Sequence, residues 1–270
     1  MRVKDKVIVI TGSTRGIGHA IAKACARRGA KIVICSRQRS SVEKVCRDFK
    51  KDNFQVTGIT VDVAKSSDIK KLFDHALKTF GKIDVWINNA GLSGGYRYLS
   101  DLSGEEITDI INVNITGTLL SCRLIIPYFI EKNGGVVINM SGKGGKGEAS
   151  PYLTAYAASK TAVNHITKNL SKEYKGSQVS INSVLPGMVE TDFFKNLKVS
   201  PLLESKAKSI PYILKAFGVP VEAVGEFVAG IAGQKPGKKT GRQYSMIKGF
   251  RLIRGIVLMV LFGMTGKLKG

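Results

Sequence analysis

Hydrophobic positions along this chain fall into two patterns. Short segments rich in Val and Ile occur at 6–11, 30–36, 83–87, 134–140 and 179–185. Short apolar segments of this kind predict buried strands. Further strands are expected at 54–63, where the run closes on Asp62 and Val63, and near 240–246. Between the runs, apolar residues recur every three or four positions, as a helix with one buried face requires. This periodicity predicts helices from Ile21 towards Gly29 and over 41–50, 66–80, 103–131 and 154–174. Ser66 or Ser67 is the expected N-cap of the 66–80 helix and Gly81 its stop. Asn114 falls inside the 103–131 helix, where an amide usually faces solvent. Such regular alternation predicts an α/β fold, a doubly wound parallel sheet of about seven strands. No linker divides it, so a single domain over 1–246 is followed by a C-terminal extension over 247–270.

Composition narrows the class. The chain has 270 residues, 43% of them hydrophobic, enough for a substantial core and unlike a disordered chain. Cys25, Cys35, Cys46 and Cys122 show no Cys-x-x-Cys pairing. No metal site and no disulfide framework is expected, which fits a reducing, cytoplasmic setting. The start of the chain lacks a signal-peptide pattern, and no stretch reaches the ~20 apolar residues of a spanning helix. The formal charge of +22 raises the question of nucleic acid. Charge alone gives only non-specific affinity, and no base-reading motif accompanies it.

The first strand runs directly into Thr11-Gly12-Ser13-Thr14-Arg15-Gly16-Ile17-Gly18, and a helix follows. Strand, glycine loop and helix form the context of a dinucleotide site, with the pyrophosphate at the helix N-terminus. Gly12 allows the turn, Gly16 lets the backbone approach the phosphates, and Gly18 lets helix and strand pack closely. Beyond the second strand, where an NAD site commonly carries a carboxylate, the chain has Ser36 and Arg37, with Arg39 nearby. A hydroxyl and a guanidinium suit a 2′-phosphate, as does Arg15, so NADP(H) is the expected cofactor.

Tyr156 and Lys160 lie four residues apart within a predicted helix and so share a face. A neighbouring ammonium lowers a tyrosine pKa, which would make Tyr156 a general acid or base. Ser141 sits at the carboxyl end of the 134–140 strand, where side chains of an open α/β sheet meet the ligand crevice.

Together these motifs resemble the short-chain dehydrogenase/reductase family over about 6–241. The matching pieces are Thr11-Gly-x-x-x-Gly-x-Gly18, Asp62-Val63, Asn88-Asn89-Ala90-Gly91, Asn114, Ser141, Tyr156-x-x-x-Lys160 and Pro186-Gly187 with Thr191. The resemblance implies a Rossmann-like fold and hydride transfer between a nicotinamide and a carbonyl or alcohol. It implies that Tyr156 moves the proton, Lys160 tunes it and binds the nicotinamide ribose, Ser141 holds the substrate oxygen, and Asn114 anchors a water. Gly12, Thr14, Arg15, Gly16, Ile17, Gly18, Ser36, Arg37, Asp62, Val63, Asn89, Ala90 and Gly91 would hold the adenosine and pyrophosphate. Tyr156, Lys160, Pro186, Gly187, Val189 and Thr191 would hold the nicotinamide half. A homodimer or homotetramer is implied as well.

Two departures stand out. The family most often places its serine about a dozen residues before the tyrosine, and here that position is Lys143. Ser141 is the nearest equivalent, with Ser150 a poor rival. The chain also continues past its seventh strand into an apolar, basic tail. From Lys235 onward there are nine Lys or Arg and no Asp or Glu. The tail is expected either to touch an anionic membrane surface or to pack on the pocket or a subunit. The apolar segment 190–218 should cover the substrate pocket and hints at an apolar substrate. The expected activity is an NADP-dependent carbonyl reductase or alcohol dehydrogenase; a non-catalytic NADP sensor or scaffold and a 3-oxoacyl reductase on acyl-carrier substrates are the alternatives.

Overall fold

The apolar runs become one parallel sheet: β1 Val7–Ile10, β2 Lys31–Ser36, β3 Val56–Thr60, β4 Val85–Asn88, β5 Gly135–Met140, β6 Val179–Leu185 and β7 Gln243–Ser245. The computed structural model describes residues 3–191 and 197–264, with Phe250 and Arg251 described by backbone alone. Strand order is β3-β2-β1-β4-β5-β6-β7. In register, Ile8 of β1 lies between Ile32 of β2 and Val85 of β4. Every residue of β1, β4, β5 and β6 is buried, which explains why these strands are mostly apolar, with Asn88, Asn139, Ser180, Asn182 and Ser183 as buried polar exceptions. The edge strands β3 and β7 are partly exposed.

Helices cover both faces. They are α1 Gly16–Ala26, α2 Arg39–Lys51, α3 Ser66–Phe80, α4 Gly104–Ile111, α5 Gly117–Glu131, α6 Thr154–Glu173, α7 Ile210–Phe217, α8 Val221–Ala232 and α9 Phe250–Met264. Side chains alternate across the sheet with the period of two that a pleated strand imposes. Ile8 and Ile10 join Ile21, Phe49, Val224 and Val228 in one core, while Val7 and Val9 join Leu72, Trp86, Ile125 and Phe129 in the other.

Three expectations change on contact with the structure. Neither Ser66 nor Ser67 caps α3; the helix begins at Ser66, and Asp68 in its first turn accepts a hydrogen bond from the Asp62 N–H at 3.0 Å. Gly81 does end it, in the left-handed conformation. The 103–131 helix is interrupted by a wide π turn, Asn112–Thr116, and this turn carries Asn114 inward rather than to solvent. Thr118 then donates to the Asn114 carbonyl at 2.8 Å. Finally, the run 104–131 is apolar and long enough by composition to cross a bilayer, against the sequence expectation, but half of its most apolar window is buried within the fold.

The strand order reverses direction between β1 and β4. At such a switch point the loops leaving the two strands diverge and open a crevice at their carboxyl ends.

Candidate active site

A cleft of roughly 610 Å³ occupies that crevice. Of the residues read from the sequence, Gly12, Thr14, Arg15, Gly16, Ile17, Gly18, Ser36, Arg37, Asp62, Val63, Asn89, Ala90, Gly91 and Thr191 all line it. They come from the ends of β1, β2, β3 and β4, with Thr191 from beyond β6, so the topology gathers motifs far apart in sequence. Pro186, Gly187 and Val189, just beyond β6, are not part of this lining.

The glycine loop is held in place by β4. The Thr11 hydroxyl oxygen accepts from the N–H groups of Asn89 and Ala90 at 2.9 and 3.0 Å. The Asn89 amide donates to the carbonyls of Thr11 and Gly12 at 2.9 and 3.0 Å. A Cβ at Gly18 would collide with the Gly12 carbonyl and sit 2.5 Å from the Asn89 amide nitrogen. Among the described residues no side chain caps α1, and its first turn holds no acid. Backbone N–H groups there suit a pyrophosphate. At the β2 end, Ser36 and Arg37 face the cleft, whereas Arg39 pairs with Glu43 at 2.7 Å and lies outside it. The residues present therefore fit a nicotinamide dinucleotide.

Tyr156 and Lys160 project from the first turns of α6. Lys160 is buried, donates to the Met140 carbonyl at 3.0 Å, and lies 5.6 Å from the centre of the Tyr156 ring. Burial pushes the Tyr156 phenol up to about 12 and the Lys160 ammonium down to about 8. This corrects the expectation that Lys160 lowers the tyrosine pKa. Burial is the cause in both cases, with Lys160 buried, Tyr156 half-buried and the ammonium turned to the Met140 carbonyl.

Asn114 is fully engaged. Its Nδ2 donates to the Leu92 carbonyl at 2.9 Å and to Ser159 Oγ at 2.8 Å, and its Oδ1 accepts from the Leu92 N–H at 2.8 Å. A Cβ at Gly91 would lie 3.3 Å from Asn114 Oδ1 and 3.4 Å from Lys160 Nζ. Lys160 and Asn114 thus stand directly behind the cleft wall.

Ser141 takes a different place from the one expected of it. Its hydroxyl donates to the Lys160 carbonyl at 3.1 Å, and a Cβ at Gly145 would collide with its oxygen. The residue beside the phenol is Gly142: a Cβ there would collide with the Tyr156 hydroxyl and lie 3.2 Å from Cζ. The physical reason is the strand register, which turns Ser141 towards α6. Lys143 is exposed and approaches Glu148 at 3.8 Å. Ser150 donates to the Glu148 carbonyl.

The outer wall is built from residues that no motif marks. Arg97, Glu106 and Lys198 line the cleft, and the Glu106 carboxylate accepts from Arg97 at 2.7 Å and Lys198 at 3.1 Å. Those partners and the Ser103 N–H hold Glu106 well below the usual carboxylate range, at about 2. Tyr96 pairs with the 198–200 segment through Tyr96 N–H to Lys198 carbonyl at 2.8 Å and Ser200 N–H to Tyr96 carbonyl at 3.2 Å. Of the 190–218 segment expected to cover the pocket, Thr191, Leu197 and Lys198 line the cleft, and 192–196 lie outside the described residues. The one available signal was position: Arg97 follows closely on the Asn-Asn-Ala-Gly turn.

The family profile described as short chain dehydrogenase matches residues 6–201. The chain belongs to the short-chain dehydrogenase/reductase family. Members of this family are oxidoreductases acting on CH–OH or C=O groups with a nicotinamide cofactor. The chain is similar to dehydrogenase/reductase SDR family member 4 of Bos taurus, 33% identical over 82% of this chain and 78% of that protein. It is 35% identical to the chloroplastic chlorophyll(ide) b reductase NOL of Oryza sativa subsp. japonica. That match covers 82% of this chain but 64% of the rice protein, so the chain spans less than two thirds of that relative's length. Among solved structures, 3-ketoacyl-(acyl-carrier-protein) reductase from Brucella melitensis, complexed with NADH, superposes with a TM-score of 0.78 at 28% identity. The superposition covers 90% of this short-chain dehydrogenase/reductase and 97% of the bacterial one.

Proposed function

We propose that the protein is an NADP(H)-dependent reductase of apolar carbonyl compounds, running also as the reverse alcohol dehydrogenase. The observation that carries this reading is the half-buried Tyr156 phenol, set against Gly142 with Lys160 5.6 Å from its ring centre, while Lys160 and Asn114 stand behind Gly91.

The bound cofactor supplies or accepts the hydride. Tyr156, held protonated at neutral pH by a pKa of about 12, donates its proton to the substrate oxygen as the carbonyl is reduced. Once the proton has left, the Lys160 ammonium on the same helix face favours the phenolate. Asn114, fixed by Leu92 and Ser159, orients the polar wall through which the phenol is reprotonated. Ser141 joins β5 to α6 through the Lys160 carbonyl and does not hold substrate. The substrate oxygen is met by the phenol across a glycine, which leaves more room than a side-chain hydroxyl would.

Preference for the phosphorylated coenzyme rests on Arg15, Ser36 and Arg37 at the β2 edge. A 3-oxoacyl group on an acidic carrier is a second reading, supported by the formal charge of +22 and the likeness to the Brucella reductase. Turnover of carrier-bound but not free ketones, falling with salt, would favour it.

The test is a screen of ketones and alcohols with NADPH and NADH, comparing wild type with Tyr156→Phe and Arg37→Asp. Tyr156→Phe should lose at least ~10²-fold in turnover, the usual contribution of a positioned general acid, while binding cofactor nearly as before. Arg37→Asp should weaken NADPH more than NADH, because its carboxylate would meet the 2′-phosphate. Wild-type turnover by Tyr156→Phe, or tighter NADH than NADPH in the unmutated protein, would overturn the assignment. Cofactor binding without turnover of any carbonyl would favour a sensor or scaffold.

A further inference from the structure

The helix after the sheet divides its surface between two environments. One side of α9 packs on α7: the Phe262 and Tyr212 rings lie 5.4 Å apart, and Gly255 meets the Phe217 ring so closely that no Cβ would fit. Leu258 and Met259 are half-buried on this inward side. The opposite side carries Leu252, Ile253, Ile256, Val257, Val260 and Met264, between 43% and 80% exposed. At ~100° per residue these six occupy roughly 140° of the circumference, one continuous apolar strip. Scattered apolar residues on a surface need no explanation, but a contiguous strip does.

Charge decides its partner. Nine Lys or Arg and no acid lie between Lys235 and the C-terminus. Lys248 and Arg254 are exposed near the strip, while Lys267 and Lys269 lie outside the described residues. A second copy of this chain would bring an equally basic surface against it. A nucleic acid would leave the apolar strip unmet. An anionic bilayer satisfies both halves, taking the strip among its acyl chains and the cations at its headgroups. The 15-residue α9 is ~22 Å long, short of the ~30 Å hydrocarbon core, so it lies along the surface.

We propose that the outward face of α9 docks this protein on an anionic membrane surface. This docking does not rest on the redox reading. It would place α7, on which α9 packs, on the membrane side of the molecule.

The experiment is co-sedimentation of the full chain with vesicles of phosphatidylcholine alone or with phosphatidylglycerol. Wild type should bind the anionic vesicles at least tenfold more tightly. Ile256→Ser with Val260→Ser should lower that binding at least tenfold. Lys248→Gln with Arg254→Gln should lower it roughly fivefold per cation, as expected from ~1 kcal/mol each. All sites are exposed, so thermal melting and NADPH affinity should not move. No binding by wild type, or equal binding by wild type and the serine variant, overturns the proposal. So does a dimer that the serine variant splits without vesicle binding by wild type.

Discussion

Replacing Gly18 by alanine tests whether the glycine loop is set by packing against β4. The added methyl would lie 2.5 Å from Asn89 Nδ2 and 3.0 Å from the Gly12 carbonyl carbon. Ordinary contacts need about 3.4 Å, so something must move by ~1 Å. The Gly12 backbone cannot retreat, since its own α-carbon already faces Ala90 with no room for a methyl. The Asn89 amide must therefore swing out and lose its bonds to Thr11 and Gly12. Two hydrogen bonds at ~0.5–1.5 kcal/mol each, plus local overpacking of ~1–3 kcal/mol, oppose a helix-propensity gain of ~1 kcal/mol. The net loss is roughly 1–5 kcal/mol, a fall in Tm of roughly 2–20 °C for a domain of this size. Displacing the loop by ~1 Å should also weaken NADPH at least tenfold. Thermal unfolding by circular dichroism and titration of NADPH fluorescence read the two effects. A variant melting within about 2 °C of wild type, with unchanged NADPH affinity, would refute the packing argument.

Further expectations concern other sites. Gly230 is exposed in α8 with open space where a Cβ would go, so Gly230→Ala should raise stability by ~0.5–1 kcal/mol in urea unfolding; a loss would show the backbone there to be strained. Gly142→Ala should displace the Tyr156 hydroxyl and cut turnover by up to ~10²-fold, with the melting temperature little changed; unimpaired turnover would mean the phenol does not act there. Burial holds Lys160 at about 8 in the fold, against its ordinary 10.5. Between those values the unfolded chain binds more protons, so wild-type stability should rise with pH across that window. Lys160→Met lacks this term, and the difference between the two urea midpoints should shift in wild type's favour as pH rises through it; a pH-independent difference would place Lys160 in an unperturbed setting.

The sheet was legible because a strand buried on both faces is mostly apolar, and β1, β4 and β5 are rich in Val and Ile, while β6 reads less cleanly because Ser180, Asn182 and Ser183 are buried in it. The glycine loop and the Tyr156–Lys160 pair were legible because their spacing carries their geometry: a tight turn before a helix, and one helical turn between side chains. Where a side chain points once elements pack was not. Ser141 reads as a residue at the end of a strand, yet α6 lies close enough to take its hydroxyl. Asn114 reads as a misplaced amide until the π turn rotates it onto Leu92 and Ser159. The Arg97–Glu106–Lys198 cluster joins residues up to 101 positions apart, and only the fold brings their charges together. The Tyr156 and Lys160 pKa values follow from enclosure, which spacing along a helix does not encode. Local periodicity and spacing act through bonds and near neighbours and so can be read along the chain; desolvation and side-chain partnership depend on what approaches from elsewhere, and tertiary packing alone decides them.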